Sequence, residues 1–162
     1  AEIGEVMRAA NEEIARDNPE MLFVTVFSGI LDLKTGELTY CNAGHDAPYM
    51  LHARQQAPAQ LECDSGPPLC VIDHYEYRAQ RYRMTEGEAL CVFTDGVTEA
   101  MNSRGDLYGR QRLLVALSSA ASDGDAIELV NAVRDSVRNF VGATERSDDM
   151  TILALRWNGG NR

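Results

Sequence analysis

The sequence predicts an α+β fold in which helices cover antiparallel β-sheets. Three observations carry this expectation. Short stretches rich in Val, Ile, Phe, Thr and Tyr are separated by turn residues such as Lys34-Thr35-Gly36. Three longer segments repeat apolar residues every three or four positions, the period of an amphipathic helix. Two apolar runs, Ala89–Phe93 and Met150–Trp157, respectively precede and follow the carboxylates Asp95 and Asp148. Paired antiparallel, those runs bring Asp95 and Asp148 to one sheet edge.

In chain order, the first helix rests on Ile3, Val6, Met7, Ala10 and Ile14 and should stop near Asn18-Pro19, because proline cannot continue it. Met21 to Leu33 reads as a strand that turns at Lys34-Thr35-Gly36 into Glu37 to Ala43, giving a β-hairpin. A strand is expected from Pro48 to Ala53, then a surface loop from Arg54 to Gln60, which shows no periodicity. Gly66-Pro67-Pro68 punctuates the middle, and Tyr75 to Tyr82 reads as a partly exposed strand. Thr85-Glu86-Gly87-Glu88 turns into the strand that ends at Asp95. Leu107 to Ala120 is expected to be a helix with Leu113, Leu114 and Leu117 inward. A second helix should run from Asp125 to Val141, with Ile127, Val130, Val133, Val137 and Phe140 inward and Asp123 or Asp125 near its N-terminus. The strand Met150 to Trp157 closes the pattern. No repeat, linker or low-complexity segment interrupts it, so residues 1–162 read as one domain.

At 162 residues and 44% hydrophobic content the chain can bury a sizeable core. Its 25 acidic against 15 basic residues give a formal net charge of −10, which argues against nucleic acid or an anionic membrane as partner. Cys41, Cys63, Cys70 and Cys91 show no C-x-x-C spacing. They read as reduced, mostly buried thiols of a cytoplasmic protein rather than a zinc site or disulfide frame. No apolar run approaches the roughly 18 residues of a membrane span. The chain opens at Ala1 directly in helix period, as an excerpt of a longer protein would.

Asp95-Gly96 is a common turn dipeptide and Ser147-Asp148-Asp149 could simply open a strand, so either motif alone reads as structure. Together they gather aspartate oxygens at one edge. Such oxygens are hard donors suited to magnesium or manganese, ions that activate water for hydrolysis. No cysteine sits in a phosphate-cradling loop, which leaves thiol-based phosphatase chemistry without support.

Five ordered motifs then resemble the metal-dependent protein phosphatases of the bacterial SpoIIE/RsbU type. They are Asn42-Ala43-Gly44-His45, Ser65-Gly66-Pro67-Pro68-Leu69, Phe93 to Ala100, Asp106-Leu107-Tyr108-Gly109 and Asp148-Asp149-Met150-Thr151. The resemblance spans the chain from the first helix to the last strand. It implies a PPM-like fold, two stacked antiparallel sheets flanked by helix layers. It also implies removal of phosphate from serine or threonine of a regulatory partner, such as an anti-sigma-factor antagonist. The cofactors implied are two manganese or magnesium ions, the attacking group is metal-activated water, and no phosphoenzyme forms. Asp95 and Asp148 match the metal-binding aspartates, with Gly96 supplying the tight turn beside the ion. Asp149 reads equally as a ligand or as a strand-start residue near the site. Asn42 and His45 fall on the segment near the metal centre, where His45 would orient phosphate or water rather than bind a hard cation. His52 and His74 have no such context.

The departures from the family pattern are as informative. The Gly-Asp…Asp and Asp-Val-x-Gly-x-Gly segments that precede the first helix in the family, and that provide its bridging carboxylate, do not occur in these residues. Without them the two-metal site cannot be completed from this sequence alone, and uncovered apolar surface would favour a homodimer. A sensor or receiver domain is expected upstream. Ser65 and Cys70 stand where glycine is usual, small-for-small changes that should not inactivate. Two other readings remain: a catalytically inactive pseudophosphatase that docks partners, and a purely structural regulatory domain in which Asp95 and Asp148 are turn residues.

Overall fold

The computed structural model of the chain describes residues 2–52, 57–120, 125–143 and 149–160. Among these described residues it is an α+β protein with two antiparallel sheets and four helices. The residues cluster into two compact units, Ala1–Ala47 with Glu62–Thr85 and Gly159–Arg162, and Pro48–Leu61 with Glu86–Asn158.

The first unit is a helix on a three-stranded sheet. Helix α1 (Ile3–Ala15) opens on a capping box in which Glu2 and Glu5 satisfy each other's backbone N–H groups. Strand β1 (Val26–Leu31) pairs antiparallel with β2 (Glu37–Ala43), from Val26↔Ala43 to Leu31↔Leu38, which is the expected hairpin. The unit's third strand (Gln80–Arg83) pairs with the other side of β2. Ile3 and Met7 pack against Cys41, Ala43, Leu69 and Tyr77 to form this unit's core.

Three expectations need correction here. Met21–Val24 is exposed and outside the strand, because β2 ends opposite Val26 and offers these residues no ladder partner. Tyr75 and Tyr77 precede the third strand, packing edge-to-face on each other, and Tyr77 OH donates to Pro67 O. On α1 the buried stripe is Ile3, Met7 and Asn11, whereas Val6 and Ile14 are exposed. Asn11 can be buried because both ends of its amide are used: Nδ2 donates to Ile72 O and Oδ1 accepts from Cys70 N.

The second unit is built on a four-stranded sheet. Counting in chain order, its strands are β3 (Tyr49–Leu51), β4 (Ala59–Gln60), β6 (Ala89–Phe93) and β7 (Ile152–Arg156), with Gln80–Arg83 taking the label β5. Their order across the sheet is β4-β3-β6-β7. Strand β4 falls in the stretch expected to be loop, of which residues 54–56 lie outside the described residues, as does Ala53 at the end of the strand expected before it. Helices α3 (Gly109–Ala120) and α4 (Ala126–Val141) cover one face. Leu113, Ala116 and Leu117 meet Leu129, Val133 and Val137 over Leu51, Cys91 and Phe93.

Asp125 caps α4, its side chain accepting the Glu128 N–H at 2.9 Å. Asp123 lies outside the described residues. Ile127 is exposed, and Leu129 takes the inward place, because the buried stripe follows the four-residue spacing of Leu129, Val133 and Val137. Cys41 and Cys91 are buried while Cys63 and Cys70 are half-buried, and all four are free thiols. Among the described residues no helix is long and apolar enough to cross a membrane.

Candidate active site

Strand β6 is the centre of this site. It lies between β3 and β7, and its pairing with β7 runs antiparallel from Ala89↔Arg156 to Phe93↔Ile152. The two apolar runs singled out in the sequence are therefore neighbours. Past Phe93, the side chain of Thr94 continues the connection. Its backbone N–H donates to Thr151 O at 3.1 Å, while its Oγ1 accepts from Thr151 N at 3.0 Å and donates to Asp149 O at 3.3 Å. Thr94 thus ties the end of β6 to the start of β7, a role whose only trace in the sequence is a hydroxyl next to each aspartate motif.

Asp95 does not end a strand in a simple glycine turn. It opens α2 (Asp95–Thr98), a single helical turn in which Glu99 N donates to Asp95 O at 2.8 Å. Gly96 is helical and buried, and its N–H donates to Asp95 Oδ1 at 2.9 Å. Val97, fully buried, anchors this turn in the core, and the chain direction that results leaves Asp95 exposed. Among the described residues no arginine or lysine pairs with the Asp95 carboxylate. Asp149 is also exposed, at the same end of the β6–β7 pair. Asp148 lies outside the described residues.

The motif Asp106-Leu107-Tyr108-Gly109 has a structural explanation. Asn102 donates to Asp106 Oδ2, and this hydrogen bond, with Arg104 beside it, holds the Asp106 carboxyl below its ordinary value. Tyr108 is fully buried, donates to Ser136 Oγ at 2.8 Å and meets Phe140 edge-to-face.

Asn42 and His45 belong to the first unit, at the end of β2. Asn42 is buried, and its amide closes on the His45 backbone through Nδ2 to His45 O at 2.9 Å and His45 N to Oδ1 at 2.8 Å. Gly44 between them has φ +70°, and an added Cβ would stand 2.6 Å from Pro68 Cγ. The nearby Cys63 thiol is pushed up by burial, against a hydrogen bond from Asn42 that lowers it.

The donor chemistry at the Asp95 edge suits a hard divalent cation: exposed carboxylate oxygens on a fixed turn, with no imidazole or thiolate among them. The set is partial. Among the described residues no group of three His, Cys, Asp or Glu side chains is arranged to hold a metal ion.

The family model for Stage II sporulation protein E (SpoIIE) matches residues 1–158, and the chain belongs to that family. It is 28% identical over 150 residues to Protein IcfG of Synechocystis sp., covering 92% of this chain and 23% of that protein. It is 24% identical over 152 residues to the phosphoserine phosphatase RsbU of Bacillus subtilis, covering 94% of this chain and 44% of RsbU. The chain therefore spans less than half the length of either relative. In fold it is similar to the RsbU and RsbW domains of Rv1364c from Mycobacterium tuberculosis, with a TM-score of 0.79 at 23% identity, covering 100% of this chain and 44% of that one.

Proposed function

We propose that this chain is the phosphatase domain, or the C-terminal larger part of that domain, of a cytoplasmic protein serine/threonine phosphatase. Its substrate would be phosphoserine or phosphothreonine on a regulatory partner such as an anti-sigma-factor antagonist. The observation that carries the reading is the antiparallel β6–β7 pair, which delivers Asp95 on an exposed, unneutralised turn beside Asp149, just ahead of β7. Likeness to RsbU supports the substrate class.

In this reading Asp95 and Asp148 would hold manganese or magnesium, two ions in a complete site, with Asp149 beside them. The bound ions would lower the pKa of water and neutralise phosphoryl charge. The chain's own residues do the rest. Gly96 N–H fixes one Asp95 oxygen and leaves the carboxylate aimed by the α2 turn. Thr94 sets the spacing between the two aspartate segments, and His45 orients the phosphate or the water.

The test is release of inorganic phosphate from a phosphoserine regulatory protein by the intact protein, after metal removal with a chelator and again after manganese is restored. Release that returns with manganese supports the proposal. Manganese binding without any release would mark a partner-binding module instead, and absence of both would leave a structural domain.

A further inference from the structure

Between α2 and α3 the second unit passes through a tight turn. Ala100 O accepts the Tyr108 N–H at 2.8 Å, Met101 bridges Leu107 antiparallel, and Asn102 O accepts the Gly105 N–H at 3.0 Å. Ala100 and Tyr108 are buried. Side chains alternate along paired strands, so the next pair faces outward, where polar residues are expected. Met101 and Leu107 stand there instead, 42% and 52% exposed. Directly opposite across the bridge, they lie side by side on one face. The turn is held from within: Asn102 Oδ1 accepts the backbone N–H groups of Arg104 and Asp106, and its Nδ2 donates to Asp106 Oδ2. Arg112 Nη1 ties the returning limb to α3 by donating to Leu107 O at 3.1 Å and Tyr108 O at 2.9 Å. An apolar pair on so fixed a turn loses little freedom when a partner covers it.

Charge and distance define that partner. Residues 102–112 carry three arginines and one aspartate, a formal net charge of +2 within a chain of −10, so the surface around the pair favours an acidic segment. Met101 follows Asp95 by six residues, and the first four of the stretch, Asp95–Thr98, form the helical turn. Its Cα therefore lies about 8–14 Å from that of Asp95. An extended segment covers that distance in about three or four residues. We infer that Met101 and Leu107 are specificity-determining residues, which take an apolar side chain about three or four residues from the phosphoserine in an acidic stretch of the substrate protein. The fixed apolar pair stands on the geometry above; the phosphoserine rests on the phosphatase reading.

The experiment gives the intact protein two acidic phosphoserine peptides, alike except for leucine or glutamine about three residues to either side of the phosphoserine. The reference substrate is p-nitrophenyl phosphate, which has no flanking residues. Wild type should favour the leucine peptide about five- to tenfold in kcat/KM, through KM, the weight of covering one apolar side chain. Leu107→Ser and Met101→Ser should each cut that preference to less than about threefold, and both act on exposed side chains, so the fold is kept. Equal kcat/KM for the two peptides in wild type, or a preference that both variants retain, would overturn the inference. A parallel loss on p-nitrophenyl phosphate would overturn it too, as damage to the site and not lost docking. So would a change of oligomeric state in the variants by sizing chromatography, which would assign the pair to contact between two copies. If wild type turns over none of the three substrates, the phosphatase reading fails and fluorescence anisotropy of the labelled peptides decides the docking alone. Tighter binding of the leucine peptide that is lost in the variants retains the surface, and equal affinities overturn it.

Discussion

Replacing Gly44 by alanine should damage the protein through two separable effects, and Gly105→Ala provides the control. Both glycines hold left-handed backbone, with φ +70° at Gly44 and +80° at Gly105. An L-residue there costs about 1–2 kcal/mol, offset by about 0.4–1 kcal/mol from the reduced freedom of the unfolded chain. A Cβ at Gly105 meets nothing within 4 Å, so that substitution should cost about 1 kcal/mol. A Cβ at Gly44 would lie 2.6 Å from Pro68 Cγ, 2.7 Å from Cδ and 2.9 Å from the Pro68 backbone N. The proline nitrogen cannot swing aside as a flexible side chain would, so an overpacking term of about 1–3 kcal/mol adds to the strain. The total for Gly44→Ala is about 2–4 kcal/mol, which for a chain of this size lowers the melting temperature by about 5–15 °C, against less than about 5 °C for Gly105→Ala. Parallel circular-dichroism melts, checked by urea unfolding at one temperature, read the difference. Equal falls for the two variants would show that Gly44 does not bear on Pro68.

Four further outcomes follow from the same geometry. Thr94→Val removes both hydroxyl ties to the start of β7 while keeping the side-chain shape. It should weaken manganese binding about tenfold by calorimetry, and unchanged affinity would take Thr94 out of the site. Asp125→Ala deletes the α4 cap on Glu128 N and should lower stability by about 1 kcal/mol in urea titrations, with no change expected in metal affinity. Leu117→Ala opens a cavity at a fully buried position between α3 and α4 and should cost about 2–5 kcal/mol. Burial pushes the Cys91 thiol up from an ordinary 9.0 to about 12. Since the folded chain then holds that proton more tightly than the unfolded one, this contribution is intact below pH 9.0 and is lost as pH rises toward about 12. Cys91→Ala should therefore shallow the alkaline fall in stability, and an unchanged slope would assign that fall to other groups.

The hairpin, the two long helices and the final strand were legible in the sequence because each carries one clear period and one clear stop. The β6–β7 edge was legible for the same reason, since two apolar runs flanking aspartates have few other ways to pair. What escaped depends on partners far along the chain. Asn11 looks like a polar interruption on α1, yet it is buried, because Cys70 N and Ile72 O meet its amide from a distant loop. Tyr75 and Tyr77 alternate with charged residues as a strand would, but they pack around Gly66 and Pro67 instead of pairing. Met21–Val24 carries strand-like residues with no strand opposite. At the candidate site the pattern pointed to Asp95 and Asp148 at one edge; Asp95 stands there beside Asp149, and Asp148 lies outside the described residues. The helical turn that aims Asp95, and the Thr94 hydroxyl that joins the two segments, could not be placed from the pattern, because both depend on Val97 being drawn into the core and on the exact register of β7.

The most direct test of the proposed site is manganese-dependent turnover of a phosphoserine protein by the intact wild type, Asp95→Asn and Asp148→Asn, each with a thermal melt on the same sample. Both substitutions preserve size and remove a charge that the cation requires. Turnover should therefore fall by at least about a hundredfold in each, as expected when several kcal/mol of electrostatic stabilisation are lost, while the melts remain close to wild type. Wild-type-like turnover by a folded Asp95→Asn protein would contradict the assignment of the β6–β7 edge as the catalytic metal site.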